Sequence, residues 1–379
     1  MKKLFIAVSA VFITAVSVFP AKADAAPEIS AKGAVLISAD TGEIVFEKNC
    51  TEKLPMASTT KIMTTLLCLE SGNLDEEFTV DSEAIKVEGS SMGLQEGDIV
   101  TKYALCCGML LPSGNDAANA AAVKLAGSIP AFAEMMNEKA KQLGLSHTYF
   151  VTPSGLEGEG HGSSAYDMAI LAAEALKNET FREICSCETI KLKFGNPPYD
   201  RWLKNTNKLL TMCDGVYGVK TGFTDEAGRC LVSACERDGE NLICVTLNDR
   251  NDWNDHIAMY DYGFEAVHTV EAKIPENLSV KVVGGECESV GLSADSASVT
   301  ALDAVADDFQ YRVISSPFVY APIKKGDETA QLEISFNGRE IRRIPLYADA
   351  DIPKSAPKPK PKKQGRFKQM FTKLRSVFS

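Results

Sequence analysis

Residues 32–49 (KGAVLISADTGEIVFEKN) carry two apolar stretches, one on either side of the turn-forming triplet Asp40-Thr41-Gly42. This pattern predicts two joined strands. Residues 60–70 then carry apolar side chains at helical spacing and are followed by a Ser-Gly-Asn stop signal. They predict a buried helix that has Ser58 at its start.

Helical and strand patterns continue to alternate up to about residue 270. Two helices separated by a break are predicted from TKYALCCGML (101–110) and DAANAAAVKLAG (116–127). Three strands are predicted from VYGVKTGF, GRCLVSACER and ENLICVTLN, and an Asp-Gly turn joins the last two. Helices interleaved with an antiparallel hairpin predict an α/β (α+β) domain over residues 26–270, in which helices cover an antiparallel sheet.

Helical periodicity fades over residues 271–350. NLSVKVV (277–283), FQYRVI (309–314) and QLEISFNGREIRRIPLY (331–347) predict strands, and Asn337-Gly338 is a two-residue hairpin signal. We therefore expect a small all-β domain after the first one.

The end of the chain changes character again. Residues 351–365 are rich in Pro and Lys and predict an extended linker. Residues 366–379 (RFKQMFTKLRSVFS) gather apolar side chains on one helical face with basic residues outside it, and they are too short to span a bilayer. This pattern predicts an amphipathic helix that anchors the protein on an anionic membrane surface. Docking of the helix on the protein's own body is the alternative, which the intervening linker disfavours.

The first 25 residues begin with Lys2 and Lys3 and continue with an apolar run from Leu4 to Phe19 and small residues in Ala-x-Ala patterns. This arrangement is typical of a cleaved secretory signal peptide. The alternative, an uncleaved membrane anchor, is disfavoured because the run is short for a span. We expect a protein that is secreted across the cytoplasmic membrane and held peripherally on its outer face.

Charge and cysteine content narrow the possible partners. The net charge is −11, although residues 354–379 contain nine Lys or Arg and no Asp or Glu, so the rest of the chain is acidic. An acidic body argues against nucleic acid as a partner.

The eleven cysteines are odd in number and several lie in apolar patterns, so we interpret most of them as buried apolar residues. The four histidines form no metal-binding pair, and we expect neither a metal nor another cofactor.

The candidate chemistry starts with Ser58 and Lys61 in the segment ASTTKIM, three residues apart and able to share a helix face. A serine hydroxyl becomes a nucleophile when a base removes its proton, and a lysine can be that base when its pKa is lowered. Spacing alone is weak evidence, because Ser58 can simply cap the helix. Ser355 and Lys358 repeat the spacing in the Pro/Lys linker, where no pocket can form.

Two further motifs follow in order. Ser113-Gly114-Asn115 lies in the break between two predicted helices, where its hydroxyl can relay protons and its amide can hold a lysine or a substrate. Lys220-Thr221-Gly222 occurs once and falls on a predicted strand. At a strand edge, Lys220 and Thr221 can hold a carboxylate while Gly222 leaves room for a substrate backbone to pair alongside.

The ordered set of motifs resembles the penicillin-binding proteins and class A β-lactamases. With LPMASTTKIMT, LLPSGNDAANA, SAYDMAILA and GVKTGFTDEAG, it most closely resembles the serine-type D-alanyl-D-alanine carboxypeptidases, the low-molecular-mass penicillin-binding proteins. The resemblance covers about residues 28–350 and extends to the basic tail. It implies a penicillin-binding/β-lactamase-like transpeptidase domain, peptidoglycan stem peptides ending in D-Ala-D-Ala as substrates, and β-lactams as covalent inhibitors.

The resemblance also implies catalytic roles. Ser58 would attack the carbonyl of the penultimate D-alanine and form an acyl-enzyme, with Lys61 as its general base. Ser113 would pass the proton to the leaving amine, and Asn115 would orient both Lys61 and the substrate amide. Water would then hydrolyse the ester.

Substrate binding is implied for the strand that carries the third motif. Lys220 and Thr221 would hold the terminal carboxylate next to Gly222. The backbone N–H groups of Ser58 and Phe223 would form the oxyanion hole.

Two other functions stay open. A β-lactamase would share the acylation step but needs a glutamate to activate the deacylating water; Glu174 and Asn178 have that spacing, yet they lie in a predicted helix and at its end. A non-catalytic peptidoglycan-binding or penicillin-sensing protein would keep Ser58 only as a cap. We interpret His161 as a loop histidine, because no partners for a Ser-His triad accompany it.

Overall fold

The computed structural model describes residues 26–356. The predicted signal peptide, most of the predicted linker and the predicted terminal helix lie outside these residues. The chain divides into two units: one comprises the residues up to Thr269 together with Thr300–Asp303, and the other comprises Val270–Val299 and the residues from Ala304 onward. No helix among residues 26–356 is long and apolar enough to cross a membrane.

The secondary structure is as follows. The helices are α1 (Lys61–Glu70), α2 (Lys102–Leu110), α3 (Asn115–Ala126), α4 (Ile129–Gln142), α5 (Ala165–Leu176), α6 (Glu179–Ser186), α7 (Leu209–Met212) and α8 (Asp252–Ala266). The strands are β1 (Gly33–Ser38), β2 (Ile44–Lys48), β3 (Glu77–Thr79), β4 (Ile99–Thr101), β5 (Thr189–Gly195), β6 (Pro198–Lys204), β7 (Val216–Thr224), β8 (Gly228–Arg237), β9 (Glu240–Leu247), β10 (His268–Glu271), β11 (Ser279–Val283), β12 (Ser289–Ser293), β13 (Ser298–Ala301), β14 (Gln310–Ile314), β15 (Val319–Tyr320), β16 (Glu328–Phe336) and β17 (Arg339–Ala348). Short 3-10 turns cover Ala57–Thr60 and Ala306–Asp308.

The first unit is built around a five-stranded antiparallel sheet with the order β2-β1-β9-β8-β7. The hairpins of β1 with β2 and of β8 with β9 are the ones predicted, and the turn between β8 and β9 contains Asp238 and Gly239, both with positive φ, as a tight hairpin requires. β7 lies at one edge of the sheet. That edge is where the Lys-Thr-Gly motif falls.

Helices cover both faces of this sheet, which explains why its strands are nearly continuous apolar runs. All six residues of β1 are buried. Val35 and Ile37 belong to a core that includes residues of α1, α2, α3 and α5, whereas Ala34 and Leu36 belong to a second core with residues of α8. The predicted α+β architecture of the first domain is confirmed.

The cysteines follow the same burial pattern. All eleven are free thiols, and nine of them are buried. The interpretation of most cysteines as small buried apolar residues is therefore confirmed.

The second unit contains a six-stranded sheet with the order β14-β16-β17-β12-β11-β15. β16 and β17 form its long hairpin, and the turn residues Asn337 and Gly338 both have positive φ. Its core includes Val280, Leu332 and Leu346. The expected all-β character of this region is confirmed.

Candidate active site

Ser58 lies in the 3-10 turn that leads into α1, close to the predicted helix start. The turn begins with Ala57 in the left-handed region at φ 47°. Neither this turn nor α1 has a side-chain capping hydrogen bond. The hydroxyl of Ser58 is therefore not used as a cap; it contacts Lys61 instead.

Lys61 is fully buried, and its Nζ atom has three hydrogen-bond partners. Nζ lies 2.8 Å from Ser58 Oγ, 2.7 Å from Asn115 Oδ1 and 2.6 Å from the carbonyl oxygen of Ser154. Burial, together with the positive charge of Lys220, lowers the pKa of Lys61 well below its usual range, and Asp116 opposes this only in part. A lysine with a lowered pKa can become the neutral amine that accepts the Ser58 proton.

The Ser-Gly-Asn motif forms the break between α2 and α3. Ser113 is buried and adopts a left-handed conformation with φ 67°. Asn115 starts α3, and its backbone N–H and Nδ2 donate to the carbonyl oxygens of Ser90 and Glu88, each at 2.7 Å. These contacts leave Oδ1 directed at Lys61.

The Lys-Thr-Gly motif lies on β7 beside the Ser58 turn. Lys220 is buried, and burial lowers its pKa to about 7. Its Nζ donates to the carbonyl oxygen of Thr221 at 2.8 Å, and the Thr221 hydroxyl lies 2.7 Å from the hydroxyl of Thr206. A Cβ atom on Gly222 would lie 3.0 Å from the backbone nitrogen of Ser58, so only glycine allows the strand and the turn to approach this closely.

A cleft of about 350 Å³ opens at this point. Predicted residues that line it are Ser58, Ser113, Thr221, Gly222 and Phe223. Lys61 is hydrogen-bonded to Ser58, and Asn115 is hydrogen-bonded to Lys61. The structure thus brings three motifs from distant parts of the chain to one place.

The cleft also contains residues that the sequence did not indicate. These are Ser90, Thr206, Lys208, Arg229, Asp252 and Trp253. Arg229 donates to both carboxylate oxygens of Asp252, at 2.7 and 2.9 Å, and its guanidinium lies 5.2 Å from the Trp253 ring centroid. No local motif marks these residues, because they come from different loops and from the ends of β8 and α8.

Asp116 is another missed residue, and it shapes the cleft wall. Its buried carboxylate accepts hydrogen bonds from the hydroxyl of Ser91 and from the backbone N–H groups of Met92, Gly93 and Leu94. It therefore holds the segment next to Ser90, the residue whose carbonyl binds Asn115. The only sequence signal was its position in the first turn of a predicted helix.

His161 lies behind the Ser58 turn and does not line the cleft. Its Nδ1 accepts the N–H of Val151 at 2.9 Å, so Nε2 carries the proton and donates to Thr60 Oγ1 at 2.9 Å. Burial lowers its pKa to about 4. Both ring nitrogens of His161 are thus engaged in contacts that hold the loop and the Ser58 turn together. This agrees with the interpretation of His161 as a loop histidine.

Glu174 and Asn178 do not form a loop beside the cleft. Glu174 lies on α5 and pairs with Lys177 at 3.1 Å, and Asn178 caps α6 by accepting the N–H of Phe181. No glutamate is among the described residues that line the cleft. The helical interpretation of this spacing is confirmed.

The site combines a serine with a buried lysine, a polar break between two helices and an exposed sheet edge that carries a second buried lysine. On this fold, such a combination defines a penicillin-binding type of transpeptidase domain. Comparison with known proteins agrees. The family model of D-alanyl-D-alanine carboxypeptidase matches residues 20–251, and the model of the penicillin-binding protein 5 C-terminal domain matches residues 264–354. The chain belongs to the D-alanyl-D-alanine carboxypeptidase family.

Individual relatives extend over most of the chain. The D-alanyl-D-alanine carboxypeptidase DacF of Bacillus subtilis is 34% identical over 86% of this chain and 86% of its own. DacC of Escherichia coli is 33% identical over 86% of this chain and 85% of its own. The crystal structure of penicillin binding protein 5 from Haemophilus influenzae covers 87% of this chain and 99% of its own, with 27% identity and a TM-score of 0.62. The predicted family and the transpeptidase-like fold are confirmed.

Proposed function

We propose that this hydrolase removes the terminal D-alanine from peptidoglycan stem peptides through an acyl-enzyme on Ser58. The observation that carries the proposal is the 2.8 Å contact between Ser58 Oγ and the fully buried Nζ of Lys61. A serine hydroxyl needs a neighbouring base, and burial favours the neutral form of a lysine.

In the proposed acylation step, Lys61 takes the proton as Ser58 Oγ attacks the carbonyl carbon of the penultimate D-alanine. The developing oxyanion is bound by the backbone N–H groups of Ser58 and Phe223; a donor of this kind contributes about 3 to 4 kcal/mol to transition-state stabilisation. Ser113 relays the proton to the leaving D-alanine nitrogen, and Asn115 keeps Lys61 and the substrate amide in position. Water then hydrolyses the ester and regenerates Ser58.

Binding of the substrate is assigned to the edge of β7. Lys220 and Thr221 hold the terminal carboxylate, which distinguishes a C-terminal residue from an internal peptide bond. The substrate backbone pairs alongside Gly222 as an added strand. A β-lactam, which carries both a reactive carbonyl and a carboxylate, acylates Ser58 in the same way.

The proposal includes the location of the enzyme. The secretory signal expected in residues 1–25 and the basic amphipathic helix expected in residues 366–379 support a location on the outer face of the cytoplasmic membrane, close to the proposed peptidoglycan substrate. No nucleic-acid partner and no cofactor are part of the proposal.

Release of D-alanine tests the function directly. The mature protein is incubated with a peptide ending in D-Ala-D-Ala, and free D-alanine is measured. Ser58→Ala should abolish release while the circular dichroism spectrum and melting temperature stay as in the wild type. Release by a folded Ser58→Ala variant would contradict the assignment, and absence of release by the wild type would favour a binding or sensing protein.

The β-lactamase alternative is tested with labelled penicillin. A carboxypeptidase of this kind should keep the label covalently on Ser58 and lose it slowly. Rapid turnover of penicillin without D-alanine release would favour a β-lactamase.

A further inference from the structure

Two thiols outside the cleft lie in contact with each other. Cys213 follows α7, Cys235 lies on β8, and both belong to the core between the sheet and α8. Their sulfur atoms lie 3.8 and 3.5 Å from the same acceptor, the carbonyl oxygen of Asp214, and the two thiols are close enough for each to shift the pKa of the other. Cys213 has 7% of its surface exposed, whereas Cys235 has none. A reagent from solvent therefore reaches Cys213 first.

Charged groups around the pair make the two thiols unequal. Nη2 of Arg237 lies 3.4 Å from Cys213 Sγ, and Nη1 of the same side chain pairs with Asp261 of α8 at 2.9 Å. The hydrogen bond from Cys235 and the guanidinium of Arg237 lower the pKa of Cys213 to about 6, against burial and the charge of Asp261. Hydrogen bonding to Cys213 and burial raise the pKa of Cys235. Cys244 of β9, nearby in the same core, also has its pKa raised, by burial.

A second thiol pair provides a comparison within the same molecule. Cys68 also lies close enough to Cys106 to shift its pKa, but both are completely buried in the core that packs on the other face of the sheet. Burial and Cys68 raise the pKa of Cys106 well above its usual range. Contact between two thiols is therefore not sufficient for reactivity; exposure and a guanidinium distinguish Cys213.

We propose that Cys213 and Cys235 form a redox-active dithiol that a small-molecule disulfide converts to an intramolecular disulfide. The Cys213 thiolate attacks one sulfur of the reagent, which breaks the reagent S–S bond, releases one thiolate and leaves a mixed disulfide on Cys213. The Cys235 thiol attacks Cys213 Sγ and expels the second thiolate, which takes up the proton that Cys235 loses. Two protein thiols are oxidised and one reagent disulfide is reduced to two thiols.

The bond would fix a segment that leads into the cleft. Thr206 and Lys208 line the cleft, α7 comes directly after them, and Cys213 comes directly after α7. Cys235 lies on β8, the strand that pairs with β7. The bond would close a loop of about 20 residues that includes the Lys-Thr-Gly strand, and so would restrict the unfolded chain. Oxidation should therefore raise the melting temperature. Neither cysteine lines the cleft, so failure of this proposal would leave the carboxypeptidase proposal unaffected.

The test uses the reduced, full mature chain and oxidised glutathione. After reaction, the remaining thiols are alkylated, and the protein is digested and analysed by mass spectrometry. We expect a peptide pair linked through Cys213 and Cys235, the loss of two free thiols, and a melting temperature higher by several degrees. Cys235→Ala should stop at a glutathione adduct on Cys213, and Cys213→Ala should form neither product.

Two further variants separate chemistry from folding. Arg237→Gln removes the guanidinium that stabilises the thiolate and should slow adduct formation about tenfold at pH 5.5. Cys68→Ala changes the comparison pair and should leave the Cys213–Cys235 product unchanged. If wild-type protein that retains its native spectrum shows no linked peptide, or links either cysteine to a different partner, the proposal is wrong; this result does not depend on whether any variant folds.

Discussion

At the scale of single residues, the proposed mechanism makes opposite demands on two buried lysines. In it, Lys61 loses its proton to act as a base, whereas Lys220 keeps its proton to attract a carboxylate. Burial lowers the pKa of both, and the charge of Lys220 lowers that of Lys61 further. In the proposed mechanism, the charge of Lys220 that binds the substrate carboxylate therefore also favours the neutral form of Lys61 that acts as the base.

This arrangement predicts that activity falls as the pH rises, and that it does so only for substrates with a C-terminal carboxylate. In the free enzyme Lys220 is charged below pH about 7 and neutral above it. Since kcat/KM reports on the free enzyme, kcat/KM for a peptide ending in D-Ala-D-Ala should fall as the pH rises through this value. A peptide with a C-terminal amide has no carboxylate to bind and should show no such fall. Identical alkaline limbs for the two substrates would contradict the role of Lys220.

The sequence predicted Ser58, Lys61 and Asn115 from the order of three motifs along the chain, because the spacing within any one motif is weak evidence. It could not identify the third partner of Lys61, the carbonyl oxygen of Ser154, because every residue has a carbonyl and this contact spans 93 positions. Arg229 and Trp253 were missed for a similar reason. Their place in the cleft depends on the packing of strands and helices and not on any local pattern.

At the scale of structural elements, the segment around Ser90–Leu94 depends on one carboxylate. Five neighbouring groups donate hydrogen bonds to the Asp116 carboxylate. Asp116→Asn replaces one of the two acceptor oxygens with a donor. We expect the free energy of unfolding to fall by roughly 1 to 3 kcal/mol. Displacement of Ser90 and Asn115 should also lower kcat/KM by about tenfold, which steady-state D-alanine release will measure.

A matched variant distinguishes cleft geometry from general stability. Asp167 is equally buried and also holds a loop, through the N–H of His147 and the hydroxyl of Thr148, but none of these residues lines the cleft. Asp167→Asn should lower stability by a similar amount and leave kcat/KM unchanged. Equal losses of kcat/KM in the two variants would show that Asp116 acts only through stability.

Helix α8 is joined to the sheet by a buried histidine, which makes stability depend on pH. His256 bonds to the hydroxyls of Ser233 and Thr246 at 2.7 and 3.0 Å, and burial lowers its pKa from 6.5 to about 3. Below pH about 6.5 the unfolded chain therefore binds a proton that the folded chain does not, so stability is lost as the pH falls. This group alone contributes a slope of up to about 1.4 kcal/mol per pH unit.

Replacement of the histidine isolates its contribution. Urea unfolding of wild-type protein and His256→Gln at pH 6, 5 and 4.5 should give a shallower loss of stability with acidification in the variant, even though the variant is less stable at pH 7. His161, whose pKa is also lowered, is present in both proteins, so the difference between the slopes belongs to His256. Parallel slopes would mean that His256 is protonated in the folded state.

The elements that the sequence predicted are those with strong periodicity or a clear turn signal. β7, β8 and β9 are apolar runs around an Asp-Gly turn, and α1 has a long apolar face. The hairpin of β5 and β6 was not predicted, because most of its side chains are exposed and few apolar positions recur. Its position depends on tertiary contacts of Arg201, which pairs with Asp98 and contacts the carbonyl of Gly93.

At the scale of the whole molecule, charge is unevenly distributed along the chain. The basic end of the chain, and not its acidic body, is predicted to contact an anionic membrane. The described chain ends in contacts with the second unit, since Pro353 O accepts the N–H of Glu286 and Ser355 N donates to Gly284 O. A truncation that removes residues 357–379 leaves these contacts intact. It therefore removes the predicted anchor without disturbing the described fold.

The truncated protein should lose membrane binding and keep its activity on a soluble peptide. The removed segment contains eight Lys or Arg, and each basic residue near an anionic surface contributes about 1 kcal/mol to binding. Sedimentation with phosphatidylglycerol vesicles should therefore recover the full mature chain but not the truncated one.

Substitution of Lys368, Lys373 and Arg375 by Gln should weaken binding to these vesicles and make it less sensitive to salt. Substitution of Phe367 and Phe371 by Ser should weaken binding at every salt concentration, because apolar burial is not screened by ions. Sedimentation of the truncated chain with the vesicles would show instead that residues 26–356 carry the membrane contact.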